Sequence, residues 1–160
     1  MIIIKNKGIA TLPTVIVLGM MILAVVVSMT SMTLSGLMIS QGSTQSSNAL
    51  FYAEAGARDA LTKIARDKTY VCSITNSCNT VGYYSLDFIT NGCANNTDCA
   101  QVSVSAGIGT TTDPKIIVSK GIMKTSTRRM QVSVVLDNGT TDASIQNGEI
   151  TGTTWTELTN

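Results

Sequence analysis

The residues in this chain best suited to covalent chemistry are four cysteines, Cys72, Cys78, Cys93 and Cys99, which read as two C-x5-C loops. An even number of cysteines in a small segment rich in Ser, Thr and Asn suits an oxidising compartment and disulfide formation. Zinc is the competing chemistry, but four-thiolate structural sites usually pair cysteines spaced by two to four residues, so a spacing of five fits poorly. Four cysteines allow three connectivities; proximity alone favours Cys72 with Cys78 and Cys93 with Cys99. Catalytic arrangements find few candidates. The chain has no histidine, so neither a Ser-His-Asp nor a Cys-His set can be assembled. Gly107-Ile108-Gly109 lacks the third glycine and the following helix of a phosphate-binding loop. Glu54, Arg58, Asp59 and Lys63 have the spacing of a solvated, ion-paired helix face rather than a catalytic cluster. Asn95-Asn96-Thr97 and Asn138-Gly139-Thr140 match the glycosylation sequon, but turn chemistry explains both asparagines. The expectation is a protein with no enzymatic activity, no cofactor and no bound metal.

The elements that carry these residues follow from the distribution of charge. The net charge is +1, with Lys and Arg spread thinly, so no basic patch is set against a phosphate backbone and nucleic acid is not an expected partner. No Asp, Glu, Lys or Arg occurs between Lys7 and Glu54. Within that gap Ile9 to Val27 is nearly all aliphatic, and the apolar character runs on more weakly to Ile39. Roughly 20 apolar residues in a helix cross a bilayer. Lys5 and Lys7 precede the run, which by the positive-inside rule keeps the N-terminus cytoplasmic and places the rest outside. The methionines of this stretch read as lipid- or core-facing filler.

Residues 9–67 read as one helix, with Pro13 tolerated near its start. By propensity alone, Ser40 to Ser47 would be a loop. Beyond it Leu50, Ala53, Ala57, Ala60, Leu61 and Ile64 recur at three- and four-residue steps, with Glu54–Arg58 and Asp59–Lys63 as acid-to-base pairs on the other side. One helix over this whole span would be about 90 Å long, far more than a bilayer needs, so half of it must pack outside the membrane. From residue 68 to 160 the period changes to two. Tyr84, Leu86 and Phe88 alternate with polar neighbours, as do Val102 and Val104, Ile116 and Val118, and Met130, Val132, Val134 and Leu136. Asn91-Gly92 and Asp137-Asn138-Gly139 are turn signals, with glycine supplying positive φ. Ile150, Trp155 and Leu158 suggest a last strand. The expected architecture is α+β: a long N-terminal helix whose amphipathic half covers an antiparallel sheet of four or five strands.

This order of parts resembles type IV prepilins and the pseudopilins of type II secretion. Lys7-Gly8-Ile9-Ala10-Thr11-Leu12 looks like the family's cleavage region, which implies a leader over residues 1–8. A dedicated prepilin peptidase would then cut between Gly8 and Ile9, leaving Ile9 as the N-methylated first residue. Ala49-Leu50-Phe51-Tyr52-Ala53-Glu54-Ala55-Gly56 is similar to a stretch in PilX-type minor pilins and K-type pseudopilins. Ser119-Lys120-Gly121 with Thr127 to Val132 resembles the final hairpin of pilin-like heads. The usual glutamate at the fifth mature position is replaced here by Pro13, and Ile2 to Ile4 make the leader unusually apolar. A subunit at a filament tip has no neighbour above it for that glutamate to pair with, so the resemblance implies a minor or initiating subunit. The implied partners are other pilin subunits, the peptidase and the inner membrane, with the head finally on a pilus or cell surface. Against this stand a secretory signal peptide, for which the apolar segment is too long, and an uncleaved single-pass anchor carrying an adhesive or envelope head.

Overall fold

The structure is a computed structural model and describes residues 11–74, 78, 82–137 and 148–159. Helix α1 covers Thr11–Arg66, and the chain divides into two compact units, residues 1–41 and 42–160. The Ser40 to Ser47 stretch stays helical. The weak formers there do not break the ladder, because propensity is a small term per residue and residues on either side already hold helix. At the C-terminus Lys63 and Arg66 lie in the last turn, where cations favour the helix dipole. The helix stops where the Asp67 carboxylate accepts hydrogen bonds from both the amide and the hydroxyl of Thr69, a local alternative to the helical ladder.

The second unit carries an antiparallel meander of five strands among the described residues, ordered β1 (Tyr84–Asp87), β2 (Cys99–Val104), β3 (Lys115–Met123), β4 (Ser126–Leu136) and β5 (Ile150–Leu158). Cys72 continues the β1 edge by bridging Val104, with backbone bonds of 3.0 and 2.7 Å. Three details differ from the sequence expectation. Phe88 lies just beyond β1. In β3 the fully buried face is Lys115, Ile117 and Ser119, whereas Ile116 and Val118 turn to the opposite side. With Ile116-Ile117-Val118 apolar throughout, alternation could not fix the phase. As Ile150, Trp155 and Leu158 suggest, a last strand follows the β3–β4 hairpin, with β5 pairing onto β4 from Arg129↔Leu158 onward. At Asn91-Gly92 the positive φ belongs to Asn91, at 58°, and not to the glycine. The Asn138-Gly139 turn lies outside the described residues.

The core of this unit joins Ala57, Ala60 and Ile64 of the helix to Ala100, Val102, Val104, Ile117, Val132 and Val134 of the sheet, all fully buried. Its helical stripe is Ala49, Ala53, Gly56, Ala57, Ala60 and Ile64, while Leu50 and Leu61 sit at its margins only partly buried. Small side chains at the centre let the backbone of α1 lie directly on β3. A Cβ at Gly121 would overlap the Ala49 carbonyl oxygen and stand 2.5 Å from the Ala53 nitrogen. A Cβ at Gly56 would be 2.5 Å from Ser119 Oγ and 2.8 Å from a Val102 methyl. Only glycine permits either approach.

Candidate membrane and assembly surface

In the first unit the helix presents Leu12, Val15, Ile16, Leu18, Met20, Leu23, Met32 and Met38 with half to four-fifths of each side chain exposed. The span is long and apolar enough to cross a membrane, and no part of its most apolar window is buried by the rest of the protein. Fully burying one such side chain contributes about 1.5–3 kcal/mol, and a contiguous apolar surface of this extent marks a membrane or protein contact. Four hydroxyls in the span are satisfied by the helix itself. Thr30, Ser31, Thr33 and Ser35 donate their hydroxyls to the carbonyls of Val26, Val27, Met29 and Ser31 at 2.8–3.0 Å. A hydroxyl bonded to its own helix can enter lipid without an unmet donor. Pro13 lies in the first described turn of α1 and is exposed. Gly8 and Ile9 lie outside the described residues.

In the second unit the Phe51 to Gly56 segment divides its labour by position. Ala53 and Gly56 make the close contact with β3. Glu54 pairs with Arg58 at 2.6 Å. Tyr52 reaches across to the Cys93–Cys99 loop: its ring stacks on Phe88 with centroids 4.6 Å apart, and its hydroxyl donates to Asp98 Oδ1 at 2.6 Å. Asp98 is further fixed by the Thr97 hydroxyl at 2.7 Å. These hydrogen bonds, that from Tyr52 foremost, hold the Asp98 carboxyl below its usual range, and the same bond raises the Tyr52 phenol. Phe51 stays 65% exposed. Nothing in the sequence pointed to the Tyr52–Asp98 clamp, because it joins positions 46 residues apart.

The four cysteines form two disulfides, Cys72–Cys78 and Cys93–Cys99, each with Cα atoms 5.0 Å apart. The first closes a loop that begins at the sheet edge, where Cys72 bridges Val104, and the second closes the loop between β1 and β2. Asp59 and Lys63 form an ion pair at 2.8 Å that is more than a solvated face. Tyr84 of β1 donates its hydroxyl to Asp59 at 2.8 Å, and the Lys63 ammonium sits 3.4 Å from the centre of the Tyr84 ring. Burial, then the bond to Asp59, pushes the Tyr84 phenol well above its ordinary value. Arg58 lies over Trp155 at 5.6 Å. Lys115, almost fully buried, donates to the Tyr70 carbonyl at 3.1 Å, and desolvation lowers its pKa. These charged groups anchor strands and loops to the helix, and their partners are structural. Among the described residues no group of three or more His, Cys, Asp or Glu is placed to hold a metal ion.

No protein-family model, no curated protein and no solved structure matches this chain. The geometry itself therefore carries the functional argument.

Proposed function

We propose that the chain is a structural, membrane-anchored subunit of a type IV pilus or related pseudopilus, with an extracytoplasmic head. One observation carries this reading: a charge-free helical span, wholly uncovered by its own protein, belongs to the same helix as a small disulfide-bearing sheet domain. A single anchor needs about 20 apolar residues, and exposure that continues to Gln41 is additional surface for neighbouring subunits to cover. The disulfides suit an exported head. Pro13 supplies neither a charge nor an N–H near the start of the span, so axial pairing through a buried carboxylate is not available to this subunit. A charged residue within the bilayer is costly unless it is paired. The lone subunit is thus easier to hold in lipid, which favours a minor or initiating role over that of the bulk subunit.

The test is processing. Replacing Gly8 by leucine should leave residues 1–8 attached and keep the chain in the membrane, because Lys5 and Lys7 would have to cross the bilayer core for extraction. If the wild-type protein already keeps residues 1–8, so that G8L changes its mass only by the substitution itself and both proteins stay in the membrane, the proposal fails and an uncleaved anchor remains.

A further inference from the structure

The sheet face turned away from α1 carries an open groove of about 590 Å³ that the reading above does not use. Its floor is Gln101, Ser103, Val118, Lys120 and Arg129 from the three central strands, and one wall is Tyr83 with Ser73, Ile74 and Gly82 beside the Cys72–Cys78 loop. This volume falls within the roughly 300–1,000 Å³ typical of small-ligand sites.

Its electrostatics are one-sided. Lys120 and Arg129 are direct cross-strand partners, and like charges opposite one another destabilise a sheet by a few tenths to about 1 kcal/mol. Neither makes an ion pair or hydrogen bond with a described residue. The adjacent Arg128 behaves differently: it points to the helix side, where Glu157 at 2.9 Å and Ser46 at 2.8 Å engage it. The residues from Cys72 to Tyr84 include no charged side chain. Among the outward strand positions the one carboxylate is Asp87, and it is occupied by the Cys93 amide at 2.5 Å. The fold thus holds two adjacent cations over a groove to which no described residue brings a counter-charge.

We propose that this groove binds a saccharide bearing a carboxylate. The guanidinium of Arg129 offers a planar fork that matches a carboxylate, and Lys120 adds a second charge-assisted donor. The rest of the lining asks for an uncharged body. Tyr83 is steadied by a 3.3 Å hydrogen bond from Gln101 Nε2 to its hydroxyl and offers an aromatic face, Val118 is an apolar floor, and Gln101 and Ser103 provide groups for sugar hydroxyls. A charge-dense polymer such as nucleic acid would need many more phosphate contacts than two cations supply. The inference rests on the head alone and stands whether or not the chain polymerises.

Isothermal titration of the full chain in detergent micelles tests it, with trigalacturonate as probe and neutral galactotriose and glucose 1-phosphate as comparison ligands. The expected result is binding of the uronate alone, weakened about tenfold or more in Arg129→Gln and in Lys120→Gln, as loss of a charge-assisted bond implies. Arg128→Gln removes the same charge from the helix side and should change binding less than about twofold. Amide shifts of the wild-type chain should move at Gln101 and Lys120, which keeps the test independent of any variant's folding. No uronate binding, preference for the phosphate, equal losses in all three variants, or shifts confined to other faces would each overturn the proposal.

Discussion

The two halves of α1 use hydrophobicity in opposite ways. From Leu12 to Ile39 the large aliphatic and methionine side chains are all exposed, whereas from Ala49 to Ile64 the buried positions are mostly alanine and glycine. Where the protein covers the helix itself, small side chains bring the backbone onto β3, and valines from the sheet supply the volume. Where it does not, bulk is presented to the surroundings, and the hydroxyls of Thr30, Ser31, Thr33 and Ser35 are turned back onto the helix. The lesson is that the half this chain covers itself and the half it leaves uncovered select different side chains on one helix.

Substituting glycines breaks this contrast most sharply. Gly121→Val drives a branched side chain into the Ala49 carbonyl and the Ala53 amide, and the head should lose about 3 kcal/mol or more, measured by thermal or urea unfolding. Gly19→Val meets nothing within 4 Å and should leave the unfolding of the head unchanged within about 0.5 kcal/mol. Equal effects would erase the distinction between the halves. Loss of a disulfide should act next. Opening the short Cys93–Cys99 loop alone, as in the Cys93→Ser/Cys99→Ser double variant, removes about 2 kcal/mol on the loop-entropy scale, seen as a lower melting temperature. Membrane retention should not change, because the apolar half contains no cysteine.

A smaller effect comes from Tyr52→Phe, which keeps the stack on Phe88 but removes the donor to Asp98. A loss of about 1–2 kcal/mol is expected, together with a rise of the Asp98 carboxyl pKa toward its ordinary value in an NMR titration. The smallest concerns alkaline pH. The Tyr84 phenol is raised in the folded state, so its contribution is complete below the unfolded value of 10.0 and is lost as pH rises beyond it. Tyr84→Phe should flatten that alkaline decline; an identical slope in both proteins would show that Tyr84 is not its source.

Much of this was legible in the sequence for identifiable reasons. The absence of charge between Lys7 and Glu54 marked the exposed half, and period-two alternation placed β2 and β4. Short separations favoured the two disulfides that are found. The face of β3 was not legible, because three consecutive apolar residues carry no phase and the buried positions beside them are Lys115 and Ser119. The β3–β4 turn was legible only through the resemblance of its flanking strands, since Lys124 rather than glycine or asparagine takes the φ of 53°. The Tyr52–Asp98 clamp and the Lys120–Arg129 pair exist only after the strands are in register. Ala49 lies just before the stripe read from the sequence, which starts at Leu50, yet its small side chain is what the close approach requires.

The central claim is that the exposed half of α1 is held first by lipid and then by other subunits. Intact-mass analysis of the protein from sheared surface filaments tests it most directly. The account predicts a chain that begins at Ile9 and carries one added methyl group. A chain that keeps Met1 to Gly8 and is recovered only from the membrane would contradict it.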